Sequence, residues 1–380
     1  MSRLTSITDS NLNGVFNTLA YTLNAVGNRT SKLSVFSSQP SVLENYSYDA
    51  IDQVTGVNSS ANTQTFAYDA TGNRTTVSAS SPAPGTGSYT TNALNQYTTA
   101  GGEVLLYDSK GNLTTKGLSS NFSYDSKNRL LGATVSGNTA SFAYDYRNRQ
   151  VSRTIGGVTT YFVYDGWNLI AEYNAGGPPP AVEYLHGAGI DVLILKKGPG
   201  GNLVYYHQDG LNSTTHLTDF QGAVIESYQY DVFGTVSIKD ELGNSLNASF
   251  YSNRFLYTGR EWIQEIGLYD YRNRVYSPEL ARFLQTDPIR FGLKIESITL
   301  SINGHVLNQQ RFEIEDVNIY RYVKNQVVDY IDPSGLSSWA QVICYDLCDF
   351  LPCGTNSCKK ICDDCSEYLV RRQTLIRAQT

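Results

Sequence analysis

Several residue classes are scarce in this chain of 380 residues. It contains one methionine, and 17% of its residues are charged, where about a quarter is usual for globular proteins. No apolar run approaches the roughly 18 to 20 residues that a membrane span requires, and the first residues, MSRLTSITDSNLNG, lack the apolar stretch of a secretion signal. The net charge of −6 argues against a body that binds nucleic acid. The chain is therefore expected to be a cytoplasmic protein or a fragment of a larger secreted one.

The sequence also lacks the spacings that mark metal and cofactor sites. Its four histidines share no ligand spacing and lie in strand-like sequence, so we interpret them as packed or turn residues. They are His186, His207, His216 and His305. No phosphate-binding loop, dinucleotide fingerprint or nucleophile-elbow motif occurs. We therefore expect no cofactor and no metal in the body of the chain.

Tyrosine and glycine are abundant instead, with 28 and 32 residues. Tyrosine favours strands and glycine favours turns, so this composition predicts β-structure. A Tyr-Asp pair also recurs, with aromatic or apolar residues before it and a Gly/Asn turn after it. The pairs stand at residues 48–49, 68–69, 107–108, 124–125, 144–145, 164–165, 230–231 and 269–270.

Each repeat has the pattern of a β-hairpin, as in FAYDATGNRTT (66–76). Phe-Ala-Tyr alternates large and small residues like a strand with one buried face. The Asp side chain can cap the turn, and Gly and Asn tolerate a positive φ. A lone hairpin is marginal in water, so the units must pair edge to edge, and eight or nine of them predict about 18 to 20 strands.

These motifs resemble the YD repeats of the Rhs family, which includes Rhs toxins, the C subunits of Tc toxins and the teneurins. YYHQDGLNSTTHLTDFQGAVIESYQYDVFG resembles the start of the Rhs-associated core, and NIYRYVKNQVVDYIDPSGL resembles its end. The resemblance implies an all-β fold in which hairpins form a curved, spiralling sheet, part of a hollow shell closed at one end by the core. The predicted divisions are a YD-repeat region (1–180), a core domain (181–336) and a small tail (337–380).

The resemblance also implies a self-cleaving site, because Rhs and Tc C proteins cut their own chain after the DPxGL motif. Matching the motifs gives Arg274, Asp287 and Asp332 as the catalytic residues and the bond between Leu336 and Ser337 as the cut. The chemistry suits an aspartyl-type, single-turnover autoprotease. One of two close carboxyl groups stays protonated while the ionised one activates water. Asp-Pro steps are also common turn starters, so turn capping is the competing interpretation of both aspartates.

Two features depart from the family pattern. Ala281 stands where a glycine is usual, and extra residues, 293–315, separate the two aspartates. This insertion alternates polar and apolar residues around an Asn-Gly pair and predicts a hairpin with a type I′ turn. We expect the hairpin to protrude and leave the aspartates together. The alternative is that it displaces Asp287 and abolishes cutting.

All six cysteines follow the predicted cut, which marks a domain boundary near Leu336. They are Cys344, Cys348, Cys353, Cys358, Cys362 and Cys365. Residues four apart share a helical face, so we interpret the tail as a disulfide-linked helical hairpin, with Cys344–Cys362 and Cys348–Cys358 as one of fifteen pairings. A zinc site using Cys358, Cys362 and Cys365, or reduced thiols, remain alternatives. Five acidic and five basic side chains in the tail argue against a basic nuclease.

Two functions are consistent with these patterns. The first is an Rhs-type shell terminus in a polymorphic-toxin-like system, which releases its own C-terminal segment as cargo. Its further partners would be delivery proteins or an upstream part of the shell. The second is a surface module that binds glycans or proteins and does not cut itself. Both place the mature protein outside the cell or at its surface, after a stage in the cytoplasm.

Overall fold

The computed structural model describes residues 4–36, 40–60, 62–81, 83–288, 293–302, 305–314 and 318–336. Most of these residues form one 24-stranded sheet in which each strand pairs antiparallel with the next one along the chain. We call this sheet the wall. The all-β fold class is confirmed, because the described residues contain no α-helix. Ser337 and the cysteine tail, with its predicted helices, lie outside the described residues.

The wall consists of strands β1 to β24. Their bounds are Ser6–Asn11, Gly14–Leu23, Arg29–Phe36, Val42–Tyr48, Val54–Ser59, Thr63–Tyr68, Arg74–Ala79, Gly87–Thr91, Tyr97–Ala100, Glu103–Tyr107, Leu113–Lys116, Ser120–Tyr124, Leu130–Val135, Asn138–Tyr144, Gln150–Ile155, Val158–Asp165, Asn168–Asn174, Val182–His186, Leu193–Lys197, Leu203–Gln208, Thr214–Thr218, Val224–Tyr230, Val236–Asp240 and Ser245–Leu246. The expected 18 to 20 strands were too few, because the wall continues without interruption through residues 182–246.

The repeat unit folds as its sequence predicts. In the copy at 68–74, Tyr68 ends β6 and Arg74 begins β7. Asp69 Oδ1 accepts hydrogen bonds from the backbone N–H groups of Thr71 and Asn73, at 2.9 Å each. The Asp side chain thus satisfies the donors of the turn, which explains its place in the motif.

The tyrosine of the motif joins each hairpin to the one before it. Its hydroxyl donates to a backbone carbonyl in the returning strand of the preceding hairpin. These bonds are Tyr68 to Val54 (2.7 Å), Tyr124 to Leu113 (2.7 Å), Tyr144 to Leu130 (2.9 Å), Tyr164 to Gln150 (2.8 Å) and Tyr230 to Thr214 (2.7 Å). The Tyr-Asp pair therefore combines a link between hairpins with a turn cap.

The wall curves far enough for its first strands to contact late ones. Asn11 Nδ2 donates to the carbonyl of Gly222 at 2.6 Å. The ring of His216 lies edge-on to Phe36, with ring centroids 4.5 Å apart. Strands β1 to β3 thus pack against β20 to β22 without sharing a sheet ladder, as a spiral requires.

A second body fills the inside of the wall at one end. It comprises residues 253–288 and 318–336, which we call the plug, and its four-stranded sheet consists of β25 to β28. These strands are Glu261–Ile263, Leu268–Tyr271, Arg274–Ser277 and Arg282–Phe283. Short 3₁₀ turns lie at Pro199–Gly201 in the wall and at Tyr257–Gly259, Gln264–Ile266 and Val323–Asn325 in the plug. Its buried tyrosines join one hydrophobic core with the inner face of the wall.

The Asp-capped turns that follow the Tyr-Asp pairs of the wall lie along one rim, the near rim, and several of them contact the plug there. Arg282 and Asn318 both donate to Asn73 Oδ1, at 2.9 and 2.7 Å. The approach is close enough that a Cβ on Gly111 would stand 2.6 Å from the Tyr320 hydroxyl. The repeat turns therefore hold the plug in place.

Two predictions about the later part of the chain have opposite outcomes. The insertion does form a hairpin, since β29 (Leu293–Ile302) pairs antiparallel with β30 (His305–Ile314) up to Ile302 opposite His305. Its Asn-Gly turn lies outside the described residues. The pair Tyr269-Asp270, interpreted as a repeat copy, instead lies within plug strand β26.

Candidate functional site

Three separate segments of the plug place the predicted catalytic side chains. Arg274 begins β27, directly after a tight turn from β26. Asp287 follows β28, and its backbone N–H donates to the carbonyl of Ile319 at 3.1 Å. Asp332 lies in the last described turn. The structure brings these side chains together, and the inserted hairpin leaves Asp287 beside Arg274.

The guanidinium of Arg274 is the centre of the site. Its Nη2 lies 2.9 Å from Asp287 Oδ2 and 3.3 Å from Asp332 Oδ2, so one nitrogen contacts both carboxylates. Its Nη1 donates to the carbonyl of Ile319 at 3.2 Å. The guanidinium also stacks over the Phe283 ring, 3.7 Å from the centroid. These contacts fix the plane of the guanidinium and hold both carboxylates at the same nitrogen.

Asp332 binds the chain that leads to the predicted cut. Its Oδ1 accepts hydrogen bonds from the backbone N–H groups of Gly335 (2.9 Å) and Leu336 (3.2 Å) and from the Ser334 hydroxyl (3.2 Å). Burial raises the pKa of the Asp332 carboxyl, while Arg274 and these hydrogen bonds oppose the rise. The residue before the predicted scissile bond is therefore tied to one carboxylate of the pair.

The two carboxylates differ in their access to solvent. The Asp287 side chain is 14% exposed, whereas that of Asp332 is 3% exposed. Water can reach Asp287 more easily, and the raised pKa of Asp332 favours a proton there. This asymmetry suits a pair in which one member acts as base and the other as acid.

Sequence analysis missed two side chains of the site. Ser334 caps Asp332, a role that its place two residues after an aspartate is typical of. Phe283 supports the Arg274 guanidinium, and nothing in its local sequence indicates this. In the described segments, no group of three His, Cys, Asp or Glu side chains is arranged to hold a metal ion. None of the helices there has the length and apolar character needed to cross a membrane.

Comparison with known proteins identifies the repeats and the wall. A family model described as teneurin YD-shell matches residues 25–327. Crystal structures of TcdB2-TccC3 with and without Cdc42 superpose with a TM-score of 0.65 at 18% and 19% identity, over 88% of this chain and 18% of theirs. These likenesses confirm the fold, and the YD-repeat resemblance is correct.

Curated relatives include longer proteins of known name. The tRNA3(Ser)-specific nuclease WapA of Bacillus spizizenii is 28% identical over 283 residues, which is 73% of this chain and 11% of that protein. Salivary gland surface protein 1 of Aedes aegypti is 27% identical over 177 residues, 44% of this chain and 4% of that protein. The chain thus spans about a tenth or less of these relatives.

The family match covers most of the chain and includes the wall from β3 to β24, most of the near rim and much of the plug. It agrees with the geometry described above, in which Asp-capped, tyrosine-linked hairpins surround a core segment. The chain therefore belongs to the teneurin YD-shell family.

Proposed function

We propose that this chain forms the closing end of a YD shell and cuts itself between Leu336 and Ser337 to free its C-terminal tail. The observation that carries this proposal is the double contact of Arg274 Nη2 with Asp287 and Asp332. Asp332 in turn binds the backbone N–H of Leu336. The carboxylate pair and the substrate bond thus belong to one hydrogen-bonded unit, which gives the bond a high effective concentration.

The reaction we propose is hydrolysis by one activated water. Asp287 accepts a proton from the water, whose oxygen forms a bond to the carbonyl carbon of Leu336. The proton held by Asp332 passes to the nitrogen of Ser337 as the C–N bond breaks. Leu336 then ends in a carboxyl group and Ser337 begins with a free amine. The pair keeps one proton, and Arg274 balances the remaining negative charge throughout.

The released tail, residues 337–380, would be the cargo of the shell. A cavity of about 360 Å³ lies inside the wall, lined mainly by residues of β2 to β6 and β21 to β23. This is the size of a small-molecule pocket, too small for a tail of 44 residues. Enclosure of the tail would therefore require further shell, such as the much longer relatives contain. The nuclease activity named for the Bacillus relatives is not proposed for this tail, since its charges balance.

Intact-mass spectrometry of the purified chain tests the cut. We expect the wild type to give a fragment ending at Leu336, and both Asp332→Asn and Asp287→Asn to remain whole at 42.0 kDa. Asp240→Asn is the matched control, because Asp240 caps an exposed wall turn and should leave cutting unchanged. A wild-type chain that stays whole, or an Asp332→Asn chain that is still cut after Leu336, would contradict the proposal.

A second candidate function rests on the name of the Aedes aegypti relative, a surface protein. A chain that never cuts would fit a surface module that binds glycans or proteins. The same mass measurement separates the two functions, since only the first produces a new C-terminus at Leu336.

A further inference from the structure

Three consecutive residues of the plug bind three consecutive carbonyls of the segment before the predicted cut. Residues 272–274 form the turn into β27, and residues 333–335 run beside them. Each carbonyl receives at least one N–H donor. The bonds are Arg272 Nη1 to Pro333 (2.9 Å), Asn273 N and Nδ2 to Ser334 (both 3.2 Å), and Arg274 Nε to Gly335. We call this arrangement the carbonyl clamp.

Arg272, the first residue of the clamp, is bound by an ion pair with a residue outside the clamp. Arg272 Nη2 lies 2.7 Å from Asp191 Oδ1, and Arg260 Nη1 contacts the same oxygen at 2.8 Å. Asp191 and Arg260 are buried, and the Arg272 side chain is 9% exposed. Arg272 also adopts a φ of 66°, a left-handed conformation that costs about 1 kcal/mol for a residue with a Cβ. A buried ion pair and a strained backbone hold the guanidinium against the Pro333 carbonyl.

The last residue of the clamp connects it to the carboxylate pair. Arg274 uses Nε for the Gly335 carbonyl and Nη2 for both carboxylates. The guanidinium is planar and rigid, so the position of the chain and the position of the acids are fixed by one group. A shift of the chain by one residue would move a different carbonyl onto each donor.

We propose that Arg272 and Asn273 are positioning residues, which hold the chain by its backbone so that the clamp, and not the side chains at the cut, sets where cleavage occurs. This inference rests on the proposed self-cleavage. Every residue carries a carbonyl, so a clamp on carbonyls accepts many sequences. Misplacing a reacting bond by about 1 Å can slow a reaction about a hundredfold.

The first test measures the rate and the position of the cut in the full chain. We expect Arg272→Met and Asn273→Ala to slow single-turnover cleavage by about 10- to 100-fold and to yield some fragments that do not end at Leu336. Arg147→Met is the matched control, since Arg147 is the exposed counterpart of Arg272 in a second copy of the same sequence. Slower cutting with an unchanged fragment end would show a merely structural role and overturn the proposal.

Substitutions of the two residues that flank the predicted cut should leave its position and its rate nearly unchanged. Leu336→Ala and Ser337→Ala should keep the fragment end at residue 336, with a rate within about threefold of the wild type, because the clamp binds the backbone carbonyls of residues 333–335. A fragment end that moves in either variant would contradict a cut set by the backbone.

The clamp can also be tested without self-cleavage. In an Asp287→Asn background, an added proteinase should cut near residues 333–340 at least about tenfold faster when Arg272→Met is also present, because the freed segment opens more often. Equal susceptibility would overturn the clamp. This measurement is informative even if the wild type proves unable to cut itself, so failure of the proposed function and failure of the clamp are distinguishable.

Discussion

The hexapeptide Tyr-Asp-Tyr-Arg-Asn-Arg occurs twice in this chain, at 144–149 in the wall and at 269–274 in the plug. The two copies are neighbours in space, since Asn148 Nδ2 donates to Asn273 Oδ1 at 3.2 Å. Yet they fold differently. In the wall the strand ends at Tyr144, whereas in the plug it continues to Tyr271. Identical local sequence therefore gives two turns and two roles.

The side chains of the two turns show the difference. In the wall, Asp145 caps a turn whose left-handed residue is Asn148, and Arg149 Nε binds Asp145 at 2.7 Å. In the plug the left-handed residue is Arg272, and Arg274 turns away to the carboxylates of the site. In the wall turn Arg149 binds the aspartate of its own turn, whereas the plug turn directs donors of residues 272–274 to the carbonyls of residues 333–335. The surrounding segments thus decide whether these residues cap a turn or build a site.

Substitution of the third residue of the hexapeptide should show the largest difference in stability between the two copies. Tyr271 is 0% exposed and packs against Tyr276, Phe283 and Tyr322, whereas Tyr146 is 77% exposed. We expect Tyr271→Ala to lower the free energy of unfolding by about 3 to 5 kcal/mol and Tyr146→Ala by less than about 0.5 kcal/mol. Urea denaturation measures both. Similar losses of unfolding free energy in the two variants would contradict the difference in packing between the copies.

The aspartates of the two copies, Asp270 in the plug and Asp145 in the wall, should change the pH dependence of stability in opposite directions. Burial, and then the nearby Glu261, raise the pKa of Asp270 to about 6. Its carboxyl is thus protonated more readily in the folded chain than in the unfolded one, and stability falls as pH rises through 6. Asp145 is opposite, because hydrogen bonds from Arg149 outweigh partial burial and lower its pKa, which favours the charged folded form above pH 4.

Unfolding at pH 5 and pH 8 tests this contrast. From pH 5 to pH 8 the free energy of unfolding should fall by about 1.5 kcal/mol more in the wild type than in Asp270→Asn. Asp145→Asn should cost about 1 kcal/mol at both values, because Asp145 is charged throughout. Other titrating groups cancel when each variant is compared with the wild type. An Asp270→Asn chain whose stability changes with pH as the wild type's does would refute the assignment.

The first residue of the hexapeptide, a tyrosine, should contribute about equally to stability in the two copies. The hydroxyl of Tyr144 donates to the Leu130 carbonyl at 2.9 Å, and that of Tyr269 to the Gly234 carbonyl at 2.8 Å. Replacing either with Phe should cost about 1 kcal/mol. Tyr146→Phe, an exposed control within the same sequence, should cost almost nothing in the same denaturation measurement. A cost confined to one of the two copies would show that their tyrosines play different roles.

Local sequence predicted the wall because the hydrogen bonds of each repeat turn join residues close together in the chain. Asp69 binds the backbone two and four residues ahead, so its role is visible in the sequence itself. The same reasoning misplaced Tyr269-Asp270, because plug strand β26 is defined by partners outside its own segment. The meeting of Arg274, Asp287 and Asp332 was predicted from family resemblance, since their separation in sequence gives no local signal.

The carbonyl clamp could not be predicted from sequence at all. Its acceptors are backbone oxygens of residues 333–335, and every residue has one. Only the path of the chain brings the donors of Arg272 and Asn273 to them. A function that acts through the backbone leaves no pattern of side chains, and a structure is needed to see it.

Turns at the two rims of the wall differ in the space they leave for additional residues. At the near rim a Cβ on Gly111 would lie 2.6 Å from both Thr286 Cγ2 and the Tyr320 hydroxyl, so a side chain in that turn would displace the plug. At the opposite rim, a Cβ on Gly137, Gly156 or Gly157 would meet no atom within 4 Å. The hairpin turns at these three glycines can therefore lengthen without disturbing the plug. Related walls can therefore become taller at these positions while the cluster of Arg274, Asp287 and Asp332 keeps its place in the plug.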